Sequence, residues 1–409
     1  MSGHGPKNDC IKSFAYIIIA PCMEDLILEL SIVLVGTAVM SFIAVFLKQP
    51  IFIAYILCGV LVAAWGGEWV RHATLIEGMS HLGITLLLFL AGLCLHPQKL
   101  IRLFRKTVLV TLAGSVSSFA MAFVFAFLWG FSLIDSLCIG LALMFSSTIL
   151  VVKLLPTTKL HHEKMGAVCI GILILQDLMA VAVLAFVRCL GSAQGVFLSF
   201  AALSAKLSVF IVVLIALENF VLRKMMLRAD RLHEVLFVLG LAWCFGIASI
   251  SNKMGLFYET GAFFAGVVLA RHPIALFISE KLKPLRDFFL VLFFFTLGAK
   301  LDFLVMKHIV VPALLLAALF VLVKPALFRH FLVLAGEPPA FAKEAGVRLG
   351  QLSEFSLLVA FLALELGHIG KPASQFIQLV TIMTFVASSY IVVFKYSTPI
   401  GVSDKLIKD

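Results

Sequence analysis

The chain has 409 residues, of which 62% are hydrophobic and only 13% charged. A soluble globular chain is about half apolar and about a quarter charged, so this composition excludes a water-soluble domain and describes a polytopic membrane protein. The formal charge of +10 fits topology signals on loops rather than nucleic acid, because no basic and aromatic cluster stands apart from the apolar segments.

In lipid, backbone N–H and C=O groups must pair within their own segment, so long continuous apolar runs are helices. They are too continuous for barrel strands, which alternate every second residue. Residues 1–22 (MSGHGPKNDCIKSFAYIIIAPC) read as an N-terminal extension ahead of a second start at Met23, with a signal peptide as the alternative. The apolar stretch Phe14–Ala20 is too short to span. Spans follow near 25–47, 51–65, 76–95, 107–129, 132–155, 166–188, 196–222, 233–250, 256–271, 287–299, 309–334, 347–366 and 375–395, about thirteen in all. A short tail, 397–409, closes the chain. The eight cysteines are scattered singly without metal spacing and read as small apolar packing residues.

Alternate loops are rich in Lys and Arg: Lys99, Arg102, Arg105 and Lys106; Lys159 and Lys164; Arg223, Lys224, Arg228 and Arg231; Arg271, Lys281, Lys283 and Arg286; Lys343; and Lys395, Lys405 and Lys408. The positive-inside rule makes these cytoplasmic. An odd number of spans then puts the N-terminus outside and the C-terminus in the cytoplasm.

The halves of the chain resemble each other. YILCGVLVA near Gly59 matches AFFAGVVLA near Gly266, LFLAGLCLHP near Gly92 matches FFTLGAKLDF near Gly298, and SSTILVV from Ser146 matches SEFSLLV from Ser353. The offsets between the named residues are 207, 206 and 207. Six spans before the segment at 196–222 then pair with six after it, in opposite orientation. Inverted repeats are a common architecture of secondary transporters, with the binding site at the repeat interface.

Four polar groups fall inside predicted spans. Gln176 and Asp177 interrupt the otherwise apolar Gly166–Arg188. A carboxylate at mid-membrane costs at least about 2.5–3.5 kcal/mol and by default marks an ion or proton pathway. Ser146, Ser147 and Thr148 can hydrogen-bond carbonyls freed at a helix break or ligate a hard cation; ordinary helix packing and back-bonding is the alternative. The run Arg348, Leu349, Gly350, Gln351, Leu352, Ser353, Glu354 contains a glycine that permits an unwound turn and a second intramembrane carboxyl. Its alternative is a cavity-facing ion pair of Glu354 with Arg348 or Lys324. Lys324 stands alone in mid-run beside Pro325, which loosens the helix, so a buried partner is expected. If both polar spans, 132–155 and 347–366, break at mid-membrane, four half-helix ends converge near Asp177.

These residues carry a family resemblance. GILILQDLMAV resembles the Q-D signature of Kef-type potassium/proton antiporters of the cation:proton antiporter-2 family. LALMFSSTILVV and LLLFLAGLCLHPQKL are similar to two further segments of that family. GAFFAGVVLA, FFFTLGAKLDF and GQLSEFSLLVA follow in the family's order, so the resemblance covers roughly residues 23–396.

The resemblance implies an all-α membrane fold of about thirteen helices, built from two inverted six-helix repeats with broken crossing helices and assembled as a homodimer in a bacterial inner membrane. It places the monovalent-cation and proton site at Asp177 with Gln176, Ser147 and Thr148. Lys324, Glu354 and Arg348 are its supporting charges, and Ser146, Gly350, Gln351 and Ser353 its broken-helix residues. The expected activity is K+/H+ antiport without a cofactor and without enzymatic chemistry. Na+/H+ antiport, a cation channel and a non-transporting sensor are the alternatives.

Three departures stand out. Cys94 and His96 occupy the acidic positions of the family's G-L-E-L-D-P stretch, and Lys300 stands where the family has a neutral residue. No G-x-G-x-x-G follows the last span, so no fused nucleotide-binding regulatory domain is expected, and regulation is left to a separate subunit.

Overall fold

A computed structural model describes residues 7–47, 49, 51–64, 73–94, 97–155, 160–190, 196–229, 233–272 and 274–398. The described chain is helical almost throughout: α1 (Lys7–Phe46), α2 (Ile51–Ala64), α3 (Ala73–Cys94), α4 (Pro97–Trp129), α5 (Leu133–Leu143), α6 (Thr148–Leu154), α7 (Leu160–Cys189), α8 (Val196–Leu217), α9 (Arg223–Ala229), α10 (His233–Lys253), α11 (Tyr258–Leu269), α12 (Ala275–Ala299), α13 (Phe303–Leu334), α14 (Pro339–Arg348), α15 (Glu354–Glu365) and α16 (Lys371–Lys395). A π-turn, Glu218–Leu222, joins α8 to α9.

Among the described residues, seven helices are long and apolar enough to cross a membrane, and four shorter apolar helices of 10–17 residues accompany them. In a chain that is 62% hydrophobic, these helices describe an integral membrane protein.

Several boundaries differ from the sequence expectation. α1 is continuous from Lys7, so the part of the expected extension from Lys7 onward is helical. Residues 1–6, 399–409 and the position of His96 lie outside the described residues. α12 starts at Ala275, a dozen residues before the expected apolar run, and carries Lys281, Lys283 and Pro284 within its helix. The run expected as one span from 347 to 366 comprises the last two residues of α14, a gap and α15, and α14 itself begins earlier, at Pro339. The ten residues of α14, PAFAKEAGVR, mix alanine with charges, and so give no apolar run to mark them.

The chain forms two compact units. The smaller comprises residues 1–47, 51–83 and 287–301. Its core joins Val33, Cys58, Leu292 and Phe295, with Leu30, Met40 and Val62 packed against them. The Phe52 and Phe294 ring centroids stand 5.5 Å apart. The larger unit comprises residues 48–50, 84–286 and 302–409. Within it α4 packs on α5, α7 and α13, while α13 packs on α14 and α16, and α15 on α5, α7 and α16. One core cluster there gathers Val110, Val151, Cys169, Ile172, Phe328, Phe341 and Ala345.

Two of the resemblance segments owe their glycines to this packing. A Cβ on Gly92 of α3 would stand 2.9 Å from the Val267 nitrogen, and one on Gly266 of α11 would stand 2.9 Å from the Leu93 nitrogen. The two backbones approach too closely for any side chain, as small residues allow between membrane helices.

Candidate functional site: two helix breaks against α7

The candidate site lies within the larger unit, where two helices stop and restart. The first gap runs from Met144 to Ser147, between α5 and α6; the second runs from Leu349 to Ser353, between α14 and α15. Each restart carries a serine N-cap. Ser147 Oγ accepts from the Leu150 N–H at 3.1 Å, and Ser353 Oγ accepts from the Phe355 N–H at 3.1 Å. At the second restart the Ser356 hydroxyl also accepts from the Ser353 N–H, at 3.4 Å, which completes a reciprocal cap. Such caps satisfy donors that a helix start leaves open.

The two gaps are bonded to each other. Ser146 Oγ donates to the Leu349 carbonyl at 2.8 Å, and Gln351 Nε2 donates to the Ser147 carbonyl at 3.4 Å. Lys324 of α13 is fully buried, at 0% exposure. Its Nζ donates to the Phe145 carbonyl at 2.6 Å and to the Gln351 carbonyl at 3.0 Å, and stands 5.7 Å from the Phe320 ring centroid. A buried partner was expected for Lys324; its hydrogen bonds go to one carbonyl in each gap. The physical reason is that broken helices end in carbonyls without intrahelical partners, and an ammonium can donate to two of them at once.

α7 lines the first gap. Gln176 is committed at both ends of its amide: Oε1 accepts from the Ser146 N–H at 2.9 Å, and Nε2 donates to Ser115 Oγ of α4 at 3.0 Å. Asp177, 5% exposed, faces the first residue of α6. The Thr148 Oγ1 lies 3.3 Å and 3.4 Å from the two carboxyl oxygens of Asp177. Glu354, also buried, is the first residue of α15 and interacts electrostatically with Asp177. A carboxyl thus stands at the start of both α6 and α15, where helix dipoles favour negative charge.

Arg348 Nε and Nη2 donate to Glu344 Oε1 at 3.0 and 2.8 Å. Nη1 donates to the Leu154 carbonyl at the last turn of α6, 2.8 Å away, and Nη2 also donates to the Ser397 carbonyl at 2.9 Å. The side chain is 2% exposed. Arg348 therefore ties the end of α6, the end of α14 and the segment after α16 together. Beyond the end of α16, burial and the nearby Glu344 raise the Tyr396 phenol above its ordinary pKa, while Arg348 opposes them.

Gly350 was expected to supply backbone freedom. Among the described residues the positive-φ glycines are Gly130, Gly255, Gly336 and Gly367, and Gly350 serves a different need: a Cβ there would stand 2.7 Å from Pro325 Cγ. The position needs room rather than an unusual φ.

Sequence reasoning missed several members of this network. Ser388 Oγ donates to Gln351 Oε1 at 3.2 Å, the Leu352 N–H donates to Thr384 Oγ1 at 3.3 Å, and Ser115 holds Gln176. Their signal was a hydroxyl inside an apolar run, which is too common in membrane helices to single out.

Comparison with known proteins places the chain in a family. Residues 30–394 match the family model described as "Sodium/hydrogen exchanger, transmembrane". The chain is 29% identical over 352 residues to a protein of Paramagnetospirillum magneticum named iron transporter MagA, covering 84% of this chain and 80% of that one. It is 29% identical to K(+) efflux antiporter 5 of Arabidopsis thaliana, covering 82% of this chain and 60% of the relative. It is 27% identical to the glutathione-regulated potassium-efflux system protein KefC of Klebsiella pneumoniae, covering 78% of this chain and 52% of the relative. The match therefore spans little more than half the length of these two potassium-efflux relatives. In fold, the chain resembles the sodium proton antiporter MjNhaP1 of Methanocaldococcus jannaschii, with a TM-score of 0.64 at 15% identity, covering 90% of this chain and 96% of that one.

Proposed function

The chain belongs to the sodium/hydrogen exchanger family, and from that premise we propose that it exchanges a monovalent cation for protons across the membrane, with both competing for Asp177. The family is one of membrane exchangers, so the chain is a transporter and not an enzyme. The observation that carries the proposal is the buried Asp177 carboxyl at the start of α6, with the Thr148 hydroxyl beside its oxygens.

A carboxyl removed from water needs neutralising, and either a proton or a cation can do so. Competition for one group couples the two fluxes, provided the site opens to one side of the membrane at a time. Carboxyl and hydroxyl oxygens suit hard cations. Gln176 is neutral and has both amide ends occupied by protein groups, which leaves Asp177 as the exchanging group on α7. One cation for one proton is then the simplest stoichiometry.

Potassium is the expected cation, supported by the potassium-efflux names among the relatives. Sodium is the alternative, supported by the fold neighbour. The finer architecture belongs to the same proposal: about thirteen spans, inverted six-helix repeats on either side of α8, a homodimer, an outer N-terminus and a cytoplasmic C-terminus, in a bacterial inner membrane. Ser147, Thr148 and Gln176 shape the ion site in this reading, while Lys324, Glu354 and Arg348 hold its surroundings.

The test is proton flux in proteoliposomes, read with an entrapped pH dye, as potassium, sodium, rubidium, lithium and ferrous ions are added in turn. The expected result is alkali-ion-driven proton movement that Asp177→Asn abolishes while the variant still folds. Retained coupling in that variant would overturn the role of Asp177. Proton movement driven by ferrous ion alone would overturn the monovalent reading.

A further inference from the structure

Beside α7, in the larger unit, lies a cavity of about 170 Å³. Its walls include Ala182 and Ala185 of α7, Leu203 and Leu207 of α8, Leu256 of the α10–α11 turn, and Phe264 of α11. Apolar cavities of this size stay dry and accept apolar guests. In a membrane the abundant apolar guest is a lipid acyl chain.

Two basic residues stand beside residues that line the cavity. Arg188 lies one turn beyond Ala185 on the same stripe of α7, and its guanidinium carbon sits 4.5 Å from the Phe257 ring centroid. Phe257 directly follows the cavity residue Leu256. On α8, Lys206 lies between Ser204 and Leu207, which both line the cavity; its Nζ would stand 3.9 Å from a Cβ on Gly255. Two cations from two helices thus converge on the turn 255–257. Lys253 precedes this turn, and Glu259 is the acidic residue that follows it. Arg188 and Lys253 also lie at the ends of the two spans Lys164–Cys189 and Glu234–Lys253, which sets the basic residues at headgroup depth. A guanidinium stacked on a ring keeps its in-plane N–H groups for a phosphate, and a long lysine stem can carry its ammonium to the same level.

We infer that this pocket binds one anionic phospholipid, with an acyl chain in the cavity beside α7 and the phosphate held by Arg188 and Lys206. The cavity begins at Leu178, next to Asp177 in sequence, and its basic end lies at Arg188, about three turns further along α7; the lipid site does not depend on the ion that the protein carries.

The experiment uses the full chain purified in detergent. Its thermal midpoint is measured with added dioleoyl phosphatidylglycerol, dioleoyl phosphatidylcholine or inorganic phosphate, and bound lipid is counted by native mass spectrometry. Phosphatidylglycerol is expected to raise the midpoint by about 3 °C more than phosphatidylcholine, and inorganic phosphate to leave it unchanged. Arg188→Gln combined with Lys206→Gln removes that excess, and so does Ala182→Trp, which fills the cavity without touching a charge. If one variant folds poorly, the other keeps the test open. Equal stabilisation by both lipids overturns the proposal, as does a phosphatidylglycerol preference that survives in a folded variant. A shift produced by inorganic phosphate alone overturns the acyl-chain half of it.

Discussion

Between Leu143 and Thr148 the chain leaves helix for four residues, and between Arg348 and Glu354 it leaves helix for five. Both gaps end in a serine N-cap, Ser147 and Ser353, and both offer a carbonyl to Lys324, from Phe145 and Gln351. They differ at the first helical residue. In the first gap it is Thr148, whose hydroxyl faces the carboxyl of another helix, Asp177 on α7. In the second it is Glu354, which brings its own carboxyl. They differ also in how their free N–H groups are held: Ser146 uses the Gln176 amide, and Leu352 uses the Thr384 hydroxyl. The first gap thus depends on α7 for its charge and its hydrogen bonding, whereas the second carries its own carboxyl and leans on α16. An exchanger in which α7 bears the exchanging acid would feel changes at the first gap in transport and changes at the second in stability.

Breaking the element that the gaps share has the largest expected effect. Lys324→Met removes two charge-assisted hydrogen bonds and leaves two buried carbonyls unpaired, so stability should fall by about 3 kcal/mol or more. The melting midpoint of the purified protein measures this, and a midpoint within error of the parent would contradict the bridging role. Next come the caps. Ser353→Ala should cost about 1.5 kcal/mol and Ser147→Ala about 1 kcal/mol, because only the second gap has a reciprocal cap to lose. Denaturation of the two variants side by side tests the order, and the reverse order would show that the reciprocal cap adds nothing. The smallest expected effect is on function alone. Thr148→Val should raise the apparent KM for the cation several-fold at little cost to folding, since one hydroxyl is withdrawn from the Asp177 carboxyl. An unchanged KM in the flux assay would separate Thr148 from the ion site.

Much of this region was legible in the chain because its signals are local and costly. Asp177, Lys324 and Glu354 stand out since charge is rare in apolar spans. The serines before Thr148 pointed to the first gap. The second was located within a residue or two, but its first half-helix was not seen, because α14 is short and mixes charge with alanine. Sequence matching paired Ser146 with Ser353, whereas the structure gives the same capping role to Ser147 and Ser353, 206 residues apart. Serine repeats at 146 and 147, so composition could not distinguish the two.

Partners were the illegible part. Lys324 reaches Phe145 across 179 residues of sequence, Arg348 reaches Leu154 across 194, and Ser146 reaches Leu349 across 203. A buried partner was expected for Lys324, with an ion pair to Glu354 as one possibility; its hydrogen bonds go to two helix-end carbonyls.

The sequence by itself determined that this is an all-helical membrane protein with one acid–amide pair in the middle of a span. Backbone desolvation and the cost of a buried charge act residue by residue, so they can be read along the chain. Only the tertiary structure decided that the two gaps meet, that one lysine serves both, and that Arg348 anchors three helix ends. Those facts depend on which unsatisfied carbonyl comes within about 3 Å of which donor, and packing alone sets that distance.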